Sequence, residues 1–176
     1  MEYVTLVNKK DKNIGVEEKI HAHKNGGKLH RAFSILTFND EGQLLLQLRS
    51  VKKYHFGGLW SNTCCGHPRP NERTKQAGER RLEEEFGFTT NLTDIGDFIY
   101  KADYENGLTE HELDHILIGK YDGDINPNPD EIDDYKYISI DELKIDVSEN
   151  PTRYSPWFKE IVNNHLDKVI KNESCN

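Results

Sequence analysis

The chain has 176 residues, a formal net charge of −8, 35% hydrophobic residues and 31% charged residues. That acidic balance argues against nucleic acid and anionic membrane surfaces as partners, though not against a phosphorylated small molecule held by local basic groups. No apolar run approaches the roughly 20 residues of a membrane span, Met1-Glu-Tyr-Val does not open a signal peptide, and three cysteines (adjacent Cys64 and Cys65, with Cys175 in a polar tail) are too few for a disulfide scaffold, so a reducing cytoplasm is expected.

In chain order, residues 4–8 and 14–18 read as two short strands flanking the turn Lys9-Lys-Asp-Lys12. Strands follow at 32–38 and 43–49, joined by the hairpin signal Asn39-Asp-Glu-Gly42. Residues 50–70, with Gly57-Gly58, Pro68 and Pro70, form a long loop, which in a domain of this size points to function. A helix is predicted over 74–86, with Thr74 as N-cap and Gly87 just past its end. Further strands are predicted near 95–104, 111–121 and 135–140, a short helix at 141–144, and a last helix from Ser155-Pro-Trp157 to about Asn172. The last helix carries the apolar stripe Phe158, Ile161, Val162, Leu166, Val169 and Ile170. This order predicts an α+β fold, an α/β/α sandwich around a mixed sheet. Residues 1–176 are expected to form one domain with a core over about 28–162, a preceding segment 1–27 and a C-terminal helix 155–172.

Within the 74–86 helix, Gly78, Leu82, Glu85 and Phe86 share one face, which should lie on the sheet. Glu85 then points inward with Arg81 one turn before it. A carboxylate on a core-facing stripe is costly unless a cation or an ion pair compensates it, and an Arg81–Glu85 salt bridge satisfies that pattern by itself. The run from Gly66 through Glu72 and Arg80-Arg-Leu-Glu-Glu-Glu85-Phe-Gly87-Phe88 resembles the Nudix box, G-x5-E-x7-R-E-U-x-E-E-x-G-U with U apolar. Arg81 departs from it, standing where a Nudix hydrolase carries a metal-holding glutamate. The resemblance implies a diphosphate substrate whose phosphate–phosphate bond is not the one cut.

The loop Asn62-Thr-Cys-Cys65-Gly66-His67-Pro68 resembles the N-x-x-C-G-H-P signature of type 1 isopentenyl-diphosphate isomerases, Nudix-fold enzymes that interconvert isopentenyl and dimethylallyl diphosphate. His23 and His30, Glu110-His-Glu112 and Tyr154-Ser-Pro-Trp157 resemble the same family, so the likeness covers roughly residues 3–165. It implies a divalent-metal site of His23, His30, His67, Glu110 and Glu112, taking Mn²⁺, Zn²⁺ or Mg²⁺, with Mn²⁺ or Zn²⁺ favoured by the nitrogen ligands. It implies a second cation, Mg²⁺, on Glu85 and the backbone carbonyl of Cys65, facing a diphosphate neutralised by Lys19, Arg49, Lys53 and Arg81. Cys65 and Glu112 would be the acid–base pair. Glu112, hydrogen-bonded to Tyr100, would deliver the proton, and Cys65 as thiolate would remove one; the reaction is reversible, so each serves in both roles. Trp157 would offer a π face to the cationic centre. The segment with His23 and His30 would close over the site.

Other readings fit the residues alone. The histidines suit a His-rich surface segment, Glu110 and Glu112 a solvated strand face, Cys65 a small hydrophobe and Trp157 a core anchor. A Cys64/Cys65/His67 zinc site lacks a fourth partner at ordinary spacing. A Nudix hydrolase acting on a nucleoside diphosphate derivative and a non-catalytic phospho-ligand module remain the competing functions. The expected partner is a small-molecule diphosphate, and the expected state a monomer or weak dimer.

Overall fold

Strand β3 (His30–Phe38) organises the sheet, because both of its edges are used by several elements. The computed structural model describes residues 1–53, 56–104 and 107–173, so Cys175 lies outside the described residues. Along one edge β3 pairs in parallel with β8 (Leu108–Lys120), from His30 opposite Glu112 to Phe38 opposite Lys120. The other edge is divided. Strand β1 (Tyr3–Val7) meets it at His30, β6 (Cys64–Gly66) at Phe33–Ile35, and β4 (Leu44–Arg49) at Phe38. Strand β2 (Asn13–Glu18) extends β1, β7 (Thr93–Tyr104) extends β8, and β5 (Trp60–Ser61) and β9 (Ile132–Ile138) both pair with β4. All these pairings except β3–β8 are antiparallel, so the sheet is mixed, as the order of elements predicts.

Successive strand residues face opposite ways, and the sequence uses both faces. Phe33, Ile35, Leu45 and Leu117 pack with Leu82 and Phe86 of helix α2 (Thr74–Phe86). Leu36, Phe38, Leu46, Ile116 and Ile118 pack on the other side under α3 (Ile140–Glu149), α4 (Pro156–Glu160) and α5 (Leu166–Glu173). Each fully buried Leu, Ile or Phe contributes about 1.5–3 kcal/mol of transfer free energy. The buried stripe of α2 is Ala77, Gly78, Leu82, Glu85 and Phe86, the face its spacing predicts. Gly87 ends the helix at φ +73°, a left-handed conformation that costs glycine least, and its N–H reaches Glu83 O.

Several details differ from the sequence reading. Thr74 is already helical and does not cap α2; Arg73, with extended backbone and no side-chain cap bond, precedes it. The 50–70 stretch contains β5 and β6, two and three residues long, too short to show alternation. A one-turn helix α1 (Lys19–Ala22) starts where Glu18 accepts from the N–H groups of Ile20 and His21. Helix α3 runs ten residues because Ser139 and Glu142 form a reciprocal capping box. The final helix passes through a π-helical stretch, Ile161–His165, between α4 and α5, which keeps Phe158, Val162 and Leu166 buried at spacings of four.

The N-terminal hairpin is tied to the sheet by His115 on β8. Its Nδ1 lies 2.8 Å from Asp94 Oδ2 and its Nε2 3.2 Å from Asp11 Oδ2, while Arg31 Nε donates to Asp11 Oδ1 at 2.7 Å. A ring protonated on both nitrogens donates to both carboxylates at once. Burial works against that charge, but the bonds and charges of Asp94 and Asp11 outweigh it and raise the His115 pKa. A raised histidine contributes stability that is complete below its ordinary value of 6.5 and lost as pH rises through the raised folded value. His115→Gln should therefore lower unfolding free energy by about 1–2 kcal/mol near pH 6, with the gap closing at alkaline pH. Urea midpoints measured across pH check this; a gap independent of pH would contradict the clamp.

Candidate active site

Five of the predicted site residues meet at one point. The ligand atoms of His23, His30, His67, Glu110 and Glu112 all lie within 4.8 Å of one another. His23, His30, Glu110 and Glu112 are buried and His67 is half-buried. Four chain segments supply them: the turn after α1, the first residue of β3, the residue after β6, and β8. Glu110 and Glu112 alternate onto the same face of β8. Docking of the His23 turn is tight. Thr109 N–H donates to His23 O at 2.8 Å, and a Cβ on Gly27 (φ +70°) would stand 2.8 Å from Thr109 O, so only glycine fits there.

The protonation pattern suits a cation. His23 Nδ1 donates to Lys19 O at 2.6 Å and His30 Nδ1 to Lys28 O at 2.8 Å, since a carbonyl only accepts. Those bonds fix the tautomers and aim both Nε2 atoms inward, as a hydrogen bond at the far ring nitrogen orients a metal-ligating histidine. His30 Nε2 lies 3.1 Å from His67 Nε2, and His67 Nε2 lies 2.7 Å from Glu112 Oε1. His23 Nε2 lies 2.8 Å from Glu110 Oε2. Burial lowers His67 to about 4 against the opposing pull of Glu112, so its ring is neutral and available as a ligand. Burial and the Glu112 charge raise Glu110. Glu112 itself is held well below the usual carboxylate range: burial opposes ionisation, but the hydrogen bonds of His30 and His67 prevail. This donor set fits a divalent cation, and the surface-histidine and solvated-face readings fall.

The cluster forms one wall of a cavity of about 800 Å³. Cys65, Glu112, Tyr100 and Trp157 line it, and Tyr100 O–H donates to Glu112 Oε2. The four predicted cations Lys19, Arg49, Lys53 and Arg81 also face it. Arg49 lies 3.4 Å from Cys65 Sγ and 5.1 Å from the Trp157 ring centroid, a cation–π distance. His23, His30 and Glu85 stand behind the cavity surface. Glu85 is 1% exposed; one oxygen pairs with Arg81 and the other accepts from Gln47 Nε2 at 3.1 Å. The i,i+4 ion pair is therefore present.

Cys64 and Cys65 point to opposite faces of the sheet. Cys64 is buried in the α2 cluster, whereas Cys65 meets the core on the other side, so the two thiols do not assemble a zinc site with His67. Burial pushes the Cys65 thiol up to about 11, only partly offset by Arg49. Cys65 is thus a thiol at neutral pH, which corrects the expectation of a ready thiolate.

Two residues without a predicted role stand out. Asn62 is fully buried; its Nδ2 donates to Ile35 O (3.1 Å) and Cys64 O (2.7 Å), and its Oδ1 accepts from Trp157 Nε1 (3.1 Å) and Ser61 Oγ (2.9 Å). One amide thus fixes both the strand carrying Cys65 and the Trp157 ring. Asp114 continues the β8 row after Glu112 on the same face, is 1% exposed, and accepts from Ser34 Oγ at 2.7 Å. Burial and then the Glu112 charge raise it well above its ordinary value, which favours its protonated form. Period-two alternation from Glu110 would have found it.

Residues 28–160 match the NUDIX domain family model. The isopentenyl-diphosphate Delta-isomerase of Halorhodospira halophila is 48% identical over 164 residues, covering 92% of this chain and 94% of that protein. The chain belongs to the isopentenyl-diphosphate Delta-isomerase family. A second member, isopentenyl-diphosphate Delta-isomerase 2 of Aromatoleum aromaticum, is 46% identical over 98% of this chain and 89% of its own length. Among solved structures, the MutT protein of Methanosarcina mazei matches with a TM-score of 0.66 at 18% identity, covering 82% of this chain and 96% of that chain. A Deinococcus radiodurans crystal structure matches with a TM-score of 0.75 at 17% identity, covering 92% and 97%. At those identities the likeness establishes the Nudix fold, and the isomerase family rests on the sequence relatives.

Asn62→Ala should cost about 2–4 kcal/mol of stability, because it strands the Trp157 N–H and the Cys64 carbonyl in the core. The Trp157 fluorescence of the folded variant should shift as its ring loses that partner. Unchanged stability and fluorescence would remove Asn62 from its positioning role.

Proposed function

We propose that this protein interconverts isopentenyl and dimethylallyl diphosphate by protonating the five-carbon tail at one carbon and deprotonating it at another. The observation that carries this reading is the shared cavity: a thiol and a metal-cluster carboxylate open into one space that Lys19, Arg49, Lys53 and Arg81 also face. The substrate class comes from the activity for which the relatives that cover nearly the whole chain are named.

Moving a double bond requires no redox cofactor, only an acid, a base and a surface that tolerates positive charge. Cys65 and Glu112 are that pair, and Tyr100 donates a hydrogen bond to the Glu112 oxygen beside the cavity. At neutral pH the sulfur carries its proton and the carboxylate does not. Catalysis in one direction therefore starts with the sulfur as donor and Glu112 as acceptor, and the reverse direction exchanges their roles. Trp157 shields the tail from water, which would otherwise trap the cation, and turns its π face toward positive charge. Lys19, Arg49, Lys53 and Arg81 bind and orient the diphosphate.

His23, His30, His67, Glu110 and Glu112 would hold Mn²⁺, Zn²⁺ or Mg²⁺, and Glu85 with the Cys65 carbonyl would hold Mg²⁺ at the diphosphate. When bound, such cations supply charge neutralisation and polarise Glu112. Arg81, at the box position where a hydrolase has glutamate, favours isomerisation over cleavage between the phosphates. We further propose that residues 1–176 act as one cytoplasmic domain, a monomer or weak dimer, without nucleic-acid or membrane partners. Among the described residues no helix is long and apolar enough to cross a membrane.

Incubation with isopentenyl diphosphate and Mg²⁺ plus Mn²⁺ in D₂O should give deuterated dimethylallyl diphosphate by NMR, with no inorganic phosphate. Cys65→Ala should lose at least about 10²-fold in turnover while binding Mn²⁺ as wild type does. Phosphate release without a double-bond shift would overturn the reading in favour of a hydrolase.

A further inference from the structure

Two cavity cations share one carboxylate that neither the metal cluster nor the acid–base pair uses. Glu131 Oε2 accepts from Lys53 Nζ, and Glu131 Oε1 lies 3.3 Å from Arg81 Nη2. Arg81 also reaches Glu84 Oε2 at 2.8 Å through Nη1, and pairs with Glu85 through Nη2. The side chain of Glu131 is 26% exposed and faces the cavity. Its backbone is held separately, because Glu131 O accepts from Ser50 N–H at 3.0 Å. The carboxylate is therefore not needed to keep the 50–53 turn beside β9.

The charges here are already paired: Lys53 and Arg81 share Glu131, Arg81 also pairs with Glu85, and Glu84 is divided between Arg81 and Arg80. A bare diphosphate brings only negative charge to this group and must displace an anion already paired with both cations. A diphosphate carrying a divalent cation also brings positive charge for the displaced carboxylates to face.

We propose that Glu131 is a specificity-determining residue: its carboxylate occupies the anion position between Lys53 and Arg81 in the free protein, and so makes this subsite select a metal-complexed diphosphate over a metal-free one. The proposal rests on the diphosphate reading above. It assigns Glu131 a role in binding and none in proton transfer. Coulomb interactions at 3–4 Å near a protein surface are worth several kcal/mol before screening, enough for a measurable change in affinity.

Calorimetric titration with inorganic pyrophosphate, in EDTA and in excess Mg²⁺, tests it on wild type, Glu131→Gln and Asp130→Asn. Asp130 pairs with Lys52 at 2.7 Å at the exposed rim of the same cavity, so its variant makes the same change in net charge there without touching Lys53 or Arg81. Glu131→Gln should bind metal-free pyrophosphate about tenfold tighter than wild type and narrow the gap between the metal-bound and metal-free affinities by that factor. Asp130→Asn should move neither affinity by more than about twofold. Glu131→Ala repeats the comparison without the amide's hydrogen bonds. If both Glu131 variants match Asp130→Asn, or weaken both forms alike, the proposal is wrong and Glu131 merely positions Lys53. If wild type fails to bind magnesium pyrophosphate at all, the diphosphate reading itself falls, and the proposal with it.

Discussion

Three imidazoles and two carboxylates, packed within 4.8 Å and largely cut off from water, are the constraint on which the rest of the site depends. Lone pairs converging in a low-dielectric interior repel one another unless a proton or a metal ion lies between them. Here one ring proton of His23 and one of His30 go to backbone carbonyls, while against burial the bond and charge of Glu110 raise His23. Burial first and the Glu112 charge second push Glu110 and Asp114 toward the neutral form. Of the two carboxylates of this row that line the cavity, Glu110 and Glu112, it is Glu112 that favours the ionised form.

The sheet converts this cluster into a two-sided site. In the register of β3, Glu112 stands opposite His30 across one edge, and Cys65 stands opposite Ser34 across the other. Thiol and carboxylate thus approach the cavity from opposite edges of a single strand whose own side chains pack both layers. Strand alternation does a second task. It turns Cys64 into the α2 core and Cys65 toward the cavity, so two adjacent thiols have unrelated environments. Asn62 locks that choice by bonding the Cys64 carbonyl and the Trp157 ring nitrogen at once.

The convergence of the five metal-site residues was expected only through the family resemblance, since the residues alone fit a surface segment and a solvated strand face. The α2 stripe and the mixed sheet were legible because each rests on periodicity. Gly66, Glu72 and Arg80 illustrate this: Glu72 receives Arg80 through two bonds of 2.8 and 2.9 Å, an arrangement set by their spacing on one turn and one helix. What stayed hidden depended on distant neighbours or on very short elements. Strands of two and three residues carry no period. The π-helical stretch in the last helix leaves the apolar pattern nearly unchanged. The protonation of Cys65 follows from burial, which a sequence motif does not encode, and the Glu131 bridge joins residues 78 and 50 positions apart. The Ser139–Glu142 capping pair starts α3 at Ile140, where the sequence reading ran the strand on to residue 140 and gave the helix only 141–144.

The central claim is that the buried histidine–glutamate cluster is built around one divalent cation. Anomalous diffraction from crystals grown with Mn²⁺ tests it most directly. A single strong peak within coordination distance of the Nε2 atoms of His23, His30 and His67 and of the Glu110 and Glu112 carboxylates is the expected result. No peak there, with the three imidazoles still in place and Mn²⁺ bound elsewhere, would contradict the account.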